Sequence, residues 1–328
     1  MAATMRDVAA LAGVSIKTVS RVVNLEPHTR PEVVRRVRSA IAELEWVPNG
    51  AARTLRTGRT GVIAVGVPQL RRPYLSMLTE AVVSEVYRRG LQAAVEPTHH
   101  RDERLTTLLD ARGRVFDGII LIGAVPPDLV ATLRPTDAVV LLHHQSTDRV
   151  DSVDADAVEA ASLVARHLVV MGRSRPALIG VDRTTDGPRA VAEALAAAGI
   201  VGDAPRVDHV AGRAEGARAA RELLDRAPGT DALLCGSDEL ALGALAELAR
   251  SGVAVPDQVA IVGFDNLDDA SFSTPSLTTV DPGAARLARS AVDLLVDRLA
   301  GTGGDAARRI ISPVELVRRE STLGPGLR

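Results

Sequence analysis

Apolar residues recur at helical spacing through the first 45 positions and then change to continuous runs. Thr4 and Asp7 have the spacing of a capping box, with Asp in place of Glu, and Val8, Ala9, Leu11 and Ala12 follow as one apolar face. This predicts a helix that starts after Thr4 and ends at Gly13. Ser15 is placed to cap a second helix over 16–23, because its hydroxyl can accept from freed backbone N–H groups. Thr29 and Glu32 repeat the capping spacing, Pro31 falls in the first turn, and Val33, Val34, Val37, Ile41 and Leu44 form a stripe. A third helix is expected there, stopped by Pro48. Asn49 can cap a brief helix over 50–55, and the polar stretch 56–60 reads as a linker.

Beyond residue 60 the pattern becomes strand-like runs at 62–67, 91–96, 118–122, 139–143, 177–181, 232–235 and 259–264, separated by helical segments. Continuous apolar strands alternating with helices predict parallel sheets covered on both faces. About ten such strands are too many for one compact sheet, so two doubly wound lobes are expected. The fold class is therefore an all-α head joined to an α/β body of two parallel-sheet lobes. The expected divisions are a head at 1–47, a hinge helix and linker at 48–60, and a body at 61–328.

Composition supports that division. The chain has 328 residues, enough for more than one core, and 46% hydrophobic with 24% charged residues is the balance of a globular protein. Its net charge of -2 hides an asymmetry, since residues 1–60 carry ten Lys or Arg against five acids. The head is thus +5 and the remainder -7. A basic head on an acidic body suits a polyanionic partner for the head, although a solvated helical surface gives the same count. No stretch has the roughly 18 apolar residues of a membrane span, and the N-terminus lacks an apolar signal region, so a cytoplasmic location is expected.

Within the head, residues 4–24 have helix-turn-helix spacing, with an ordinary αα-hairpin as the alternative. Lys17 is the chain's one lysine, and Arg21 four residues later shares its helical face, which favours DNA. Elsewhere the usual catalytic strings are missing, with no G-x-G-x-x-G, P-loop, H-E-x-x-H or G-x-S-x-G, and no enzyme is expected. Cys235 lies in an apolar run and reads as a buried strand residue rather than a nucleophile. His99-His100 and His143-His144 have no partner Cys or clustered acids, so no metal or other cofactor is expected.

The strings AGVSIKTVSRVVN (12–24), WVPNGAARTL (46–55) and RTGRTGVIAV (56–65) resemble the lactose-repressor and galactose-repressor (LacI/GalR) family. FDGIIL (116–121), SDELALGAL (237–245), VAIVGFDN (259–266), PSLTTV (275–280) and ELVRREST (315–322) extend the resemblance through the body. The resemblance implies that Ile16, Lys17 and Arg21 face base edges, where a cation favours guanine. It puts Ser15, Thr18, Ser20, Asn24 and His28 at phosphates. It makes 50–55 a hinge helix that enters the minor groove, with Leu55 as the wedge and Ala52, Arg53 and Arg56 around it. The body resembles periplasmic sugar-binding proteins, with a ligand cleft lined by Tyr74, Ser237, Asp238 and Asp265. Ser237-Asp238 stands where Asn-Asp is usual, removing one amide contact. A cleft arginine common in the family is replaced by Gly187, with Arg189 two residues out of step, and a stacking aromatic falls near Ala211. These departures leave either a degenerate pocket or a ligand of different shape. The function implied is a repressor, homodimeric on a palindromic DNA operator, controlled by a sugar-like effector bound between lobes. Inducer and corepressor action use the same parts.

Overall fold

The structure is a computed structural model that describes residues 3–23, 29–46, 58–143, 147–181, 186–200, 204–208 and 210–324, without the side chains of 186–188. Internal contacts divide the chain into Met1–Thr60 and Gly61–Arg328.

Three helices form the head: α1 (Met5–Ala12), α2 (Ile16–Val23) and α3 (Pro31–Glu43). The capping box forms as the spacing predicts, with Thr4 N donating to Asp7 Oδ2 at 2.8 Å and Asp7 N to Thr4 Oγ1 at 3.4 Å. Gly13 ends α1 in the left-handed conformation, φ 63°, which a Cβ would oppose. Ser15 Oγ then accepts from Thr18 N at 3.1 Å and starts α2. Val8, Ala12, Val19, Val22, Val37 and Trp46 close a small core. Each buried valine contributes about 1.5 to 3 kcal/mol.

Two expectations for α3 fail. Arg30, not Thr29, is the N-cap, and it makes no side-chain capping bond; Pro31 at the first turn removes one N–H that would have needed a cap. The helix also ends at Glu43, well before Pro48, where Glu45 turns left-handed at φ 46°.

The body contains twelve strands among the described residues, arranged as two six-stranded sheets. Lobe 1 has the order β11 (Arg309–Ser312), β5 (Asp151–Ala155), β4 (Val139–Leu142), β3 (Gly118–Ile122), β1 (Val62–Val67), β2 (Gln92–Pro97), all parallel. Lobe 2 has the order β12 (Glu315–Val317), β10 (Thr278–Asp281), β9 (Ala260–Phe264), β8 (Ala232–Cys235), β6 (Pro176–Ile179), β7 (Arg206–Val207), parallel except for β12.

Lobe 1 carries α4 (Pro73–Arg88), α5 (Asp102–Asp110) and α6 (Pro127–Ala131), and lobe 2 carries α7 (Ala157–Val170), α8 (Asp186–Ala197), α9 (Arg213–Arg226), α10 (Asp238–Arg250) and α11 (Asp268–Phe272). Helix α8 begins before Ala190, so Gly187 falls in its first turn rather than ahead of it. Helix α12 (Ala284–Ala300) follows β10 of lobe 2 yet packs on α4 and β3 to β5 of lobe 1, while α13 (Glu320–Leu323) returns to lobe 2. The chain therefore passes between the lobes three times, after β5, β10 and β11. Ala160, Val280 and Val314 pack together beside these crossings.

Five strands, β5, β7, β10, β11 and β12, escape the apolar pattern. In β5 the first residue is Asp151, fully buried because Arg298 and Arg308 surround it. Arg298 donates to Asp151 at 3.0 and 2.6 Å, and Arg308 at 2.8 Å from Nη2 and 2.7 Å from its backbone N–H. This cluster ties β5, α12 and the approach to β11 together. Burial alone would raise the Asp151 carboxyl, but those hydrogen bonds outweigh it and hold it below its ordinary value.

Candidate functional site

In the head, Val19 and Val22 of α2 face the core and fix the helix's rotation. Ile16 is 45% exposed and Lys17 and Arg21 are also exposed, on the outer face. The three residues expected to read bases thus share solvent access on a helix opened by Gly13 and Ser15. Among the residues expected at phosphates, Ser15 and Thr18 are joined through their hydroxyls at 2.9 Å at the start of α2, and Ser20 is half-buried. Asn24, His28, Ala52, Arg53, Leu55 and Arg56 lie outside the described residues.

In the body, Pro73 opens α4 and sets Tyr74 in its first turn, 5% exposed. Its hydroxyl is buried and has no hydrogen-bond partner among the described residues. His143, left-handed at φ 57° just beyond β4, meets the Tyr74 ring edge-on, 5.3 Å between centroids. Burial lowers the affinity of His143 for a proton and keeps the imidazole neutral. From lobe 2, Asp265 follows β9 with φ 122°, 7% exposed. Leu267, two residues on, joins the cluster that contains Tyr74, so the two lobes meet here.

The Asp265 carboxyl lies near the start of α10, where the backbone of Asp238 favours its ionised form. Burial, followed by repulsion from Asp238, raises it well above its ordinary value. Burial also raises the Tyr74 hydroxyl, with Asp265 and Asp281 adding to the effect. Asn266, left-handed at φ 52°, donates to Asp281 Oδ2 at 3.0 Å and accepts from Arg319 Nη2 at 2.7 Å.

Ser237 and Asp238, expected at the ligand, both make hydrogen bonds within lobe 2. Ser237 Oγ caps α10 by accepting from Leu240 N at 3.3 Å. Asp238 is fully buried, accepting from Thr279 Oγ1 at 2.6 Å and Leu267 N at 2.8 Å. Both carboxylate oxygens are committed to holding the turn after β9. Those two bonds oppose burial, but burial wins and the carboxyl is pushed up to about 6. Gly263 faces this carboxylate, whose Oδ1 and the Leu277 side chain occupy the space a Cβ would need.

At the edge of the meeting point Arg72 of lobe 1 stands 3.9 Å from Glu239 of lobe 2. Arg213 donates to Glu239 at 3.1 Å and pairs with Asp269. An opening of about 750 Å³ lies at the carboxyl ends of β1, β2 and β3, lined by Pro68, Thr98, His100, Ile122 and Arg149 among others. Ile122 is in register with Leu142, the residue before His143, so this opening and Tyr74–His143 occupy the same end of the lobe 1 sheet. That is the end where ligands bind in doubly wound sheets.

Sequence reasoning missed His143, Arg72, Asn266 and Arg319. His143 was legible only as half of a histidine pair, whereas Asn266 sits inside VAIVGFDN and could have been drawn from that string. Among the described residues no group of three metal-ligating side chains converges, and no helix is long and apolar enough to cross a membrane. Cys235 is buried at the end of β8, where burial pushes its thiol up.

A helix-turn-helix head on a body of two doubly wound lobes, crossed three times by the chain, defines the class of two-lobed DNA-binding regulators. Residues 4–49 match the lacI family of bacterial regulatory proteins and residues 165–322 a periplasmic binding protein-like domain. The chain is 30% identical to the HTH-type transcriptional repressor PurR of Pectobacterium carotovorum subsp. carotovorum (strain PC1), over 99% of this chain and 98% of that protein. A solved complex of the transcriptional regulator CelR with cellobiose is 30% identical, covers 97% of this chain and 99% of its own, and superposes with a TM-score of 0.68. A lac repressor dimer bound to operator and the anti-inducer ONPF is 26% identical, with 98% and 99% covered and a TM-score of 0.78. The chain belongs to the lacI family, and it is a DNA-binding transcriptional regulator.

Proposed function

We propose that this regulator represses transcription as a cytoplasmic homodimer on a palindromic operator, and that a small hydroxyl-rich molecule bound between its lobes controls it. The observation that carries the effector site is the buried Tyr74 hydroxyl of lobe 1, which has no hydrogen-bond partner among the described residues and lies within electrostatic reach of Asp265 of lobe 2. A buried donor without a partner forfeits roughly 1 to 3 kcal/mol that a ligand acceptor restores. Asp265 complements it by accepting ligand hydroxyls. The operator site is the exposed face of α2, with Ile16, Lys17 and Arg21 reading bases and Ser15, Thr18, Ser20, Asn24 and His28 at phosphates. Ala52, Arg53, Leu55 and Arg56 serve the minor groove. Asp238 holds the turn that presents Asp265, and Ser237, half-buried at the start of α10, stands beside it as a further ligand contact. The reading is one of binding without turnover. It agrees with CelR, which has been solved with cellobiose, and with the lac repressor, solved as a dimer on operator.

Coupling of about 1 to 3 kcal/mol between the two sites corresponds to a 5- to 150-fold change in operator affinity. Fluorescence anisotropy on palindromes near the gene, repeated across a carbohydrate library, measures it. The expected result is one ligand class that shifts operator affinity at least fivefold and raises Tm, with both responses lost in Asp265→Ala. A response undiminished in Asp265→Ala, its fold checked by circular dichroism, places the effector elsewhere.

A further inference from the structure

The charges around the meeting point of the lobes narrow the chemistry of what binds there. Asp265 is almost fully enclosed, and among the described residues no cation pairs with it. The charged neighbours that act on it, Asp238 and Glu239, are both acids. The two that act on the Tyr74 hydroxyl, Asp265 and Asp281, are acids as well.

Among the described residues the nearby guanidiniums are already engaged. Arg319 donates to Leu277 O at 2.7 Å and to Asn266 Oδ1 at 2.7 Å, and its charge acts on Asp238 and Asp281. Arg72 and Arg213 are drawn to Glu239, and Arg213 also to Asp269. Among the described residues the interior of the site is therefore short of positive charge, next to an aromatic ring and a neutral imidazole.

A cation beside Asp265 would offset the burial and the like charges that favour its protonated form, which neither an anionic ligand nor a neutral polyol does. Resting on the interlobe reading above, we infer that the effector carries a protonated amine beside its hydroxyls, as an amino sugar does. Its ammonium pairs with Asp265, and a neighbouring hydroxyl or ring oxygen accepts from Tyr74. The His143 ring supports the Tyr74 ring from the side. A charge-assisted hydrogen bond is about twice as strong as a neutral one, enough for a preference of roughly tenfold or more over the neutral analogue.

The test compares matched pairs on the full-length protein by calorimetry and thermal shift: glucosamine with glucose, and galactosamine with galactose, adding N-acetylglucosamine as the amine without its charge. The expected result is that at least one amine binds about tenfold or more tighter than its neutral partner, that N-acetylation removes the advantage, and that Asp265→Asn brings the ratio near one. Tyr74→Phe should weaken both members of the pair and leave their ratio in place. A neutral sugar that binds as tightly as its amine, with binding still lost in Tyr74→Phe, overturns the amine and leaves the interlobe site standing. Amine preference that persists in Asp265→Asn overturns the pairing. Binding indifferent to both substitutions overturns the interlobe site along with it. If neither series binds, amino sugars are excluded, while the wider library screen still judges the site.

Discussion

Three buried aspartates show how position rather than residue type sets the behaviour of a side chain. Asp151 is held ionised by two arginines, whereas at Asp238 burial outweighs the bonds it accepts and at Asp265 burial and nearby acids prevail. The signs differ accordingly. Stability from Asp151 is present above its unfolded-state value and is lost as pH falls through its lowered folded value. For Asp238, with a folded value of about 6 against an ordinary 3.8, the folded state binds the proton more tightly. Its contribution is complete below about pH 4 and declines as pH rises through 6. Urea unfolding between pH 4 and 7 should therefore show a fall that Asp238→Asn reduces by roughly 2 to 3 kcal/mol. An unchanged pH slope in that variant would mean that Asp238 is solvated. Neither sign could be drawn from sequence, because the two arginines of Asp151 lie 147 and 157 positions away.

Local chemistry specified the head's elements almost completely. Thr4, Asp7, Gly13 and Ser15 set both ends of α1 and the start of α2 through bonds spanning three or four residues. The third helix was less legible, since its proline does part of the work assigned to Thr29. On α2 the burial of Val19 and Val22 turns Lys17 outward. Lys17→Ala should reduce discrimination among bases at its position in a half-site by about 1 to 3 kcal/mol, with a smaller loss on random DNA. Binding assays on a panel of half-site variants provide the measurement, and equal losses on all sequences would assign Lys17 to phosphate. Strands followed the same logic. Apolar β1, β3 and β8 were found at their observed bounds, while β5 and β10 were not, because Asp151, Thr278 and Thr279 are buried with partners distant in sequence.

At the scale of the whole molecule, large apolar side chains are left in the open. Phe272 is 86% exposed on α11, and Tyr87 on α4 is 59% exposed. The homodimer proposed above needs a surface that another copy covers, and Phe272 is the most exposed large apolar side chain among the described residues. Phe272→Asp should weaken self-association by an order of magnitude in sedimentation equilibrium and lower affinity for a two-half-site operator more than for a single half-site. A variant as dimeric as the parent would place the dimer face elsewhere.

The sequence by itself determined the helix ends of the head, the alternation that makes two parallel sheets, and the motifs of the lacI family, since all of these rest on neighbours a few residues apart. Only the tertiary structure decided which lobe α12 belongs to, why β5 is a strand, and how Tyr74, His143 and Asp265 converge. Those outcomes depend on the chain crossing three times between lobes, which brings together charges and hydroxyls that no local pattern relates.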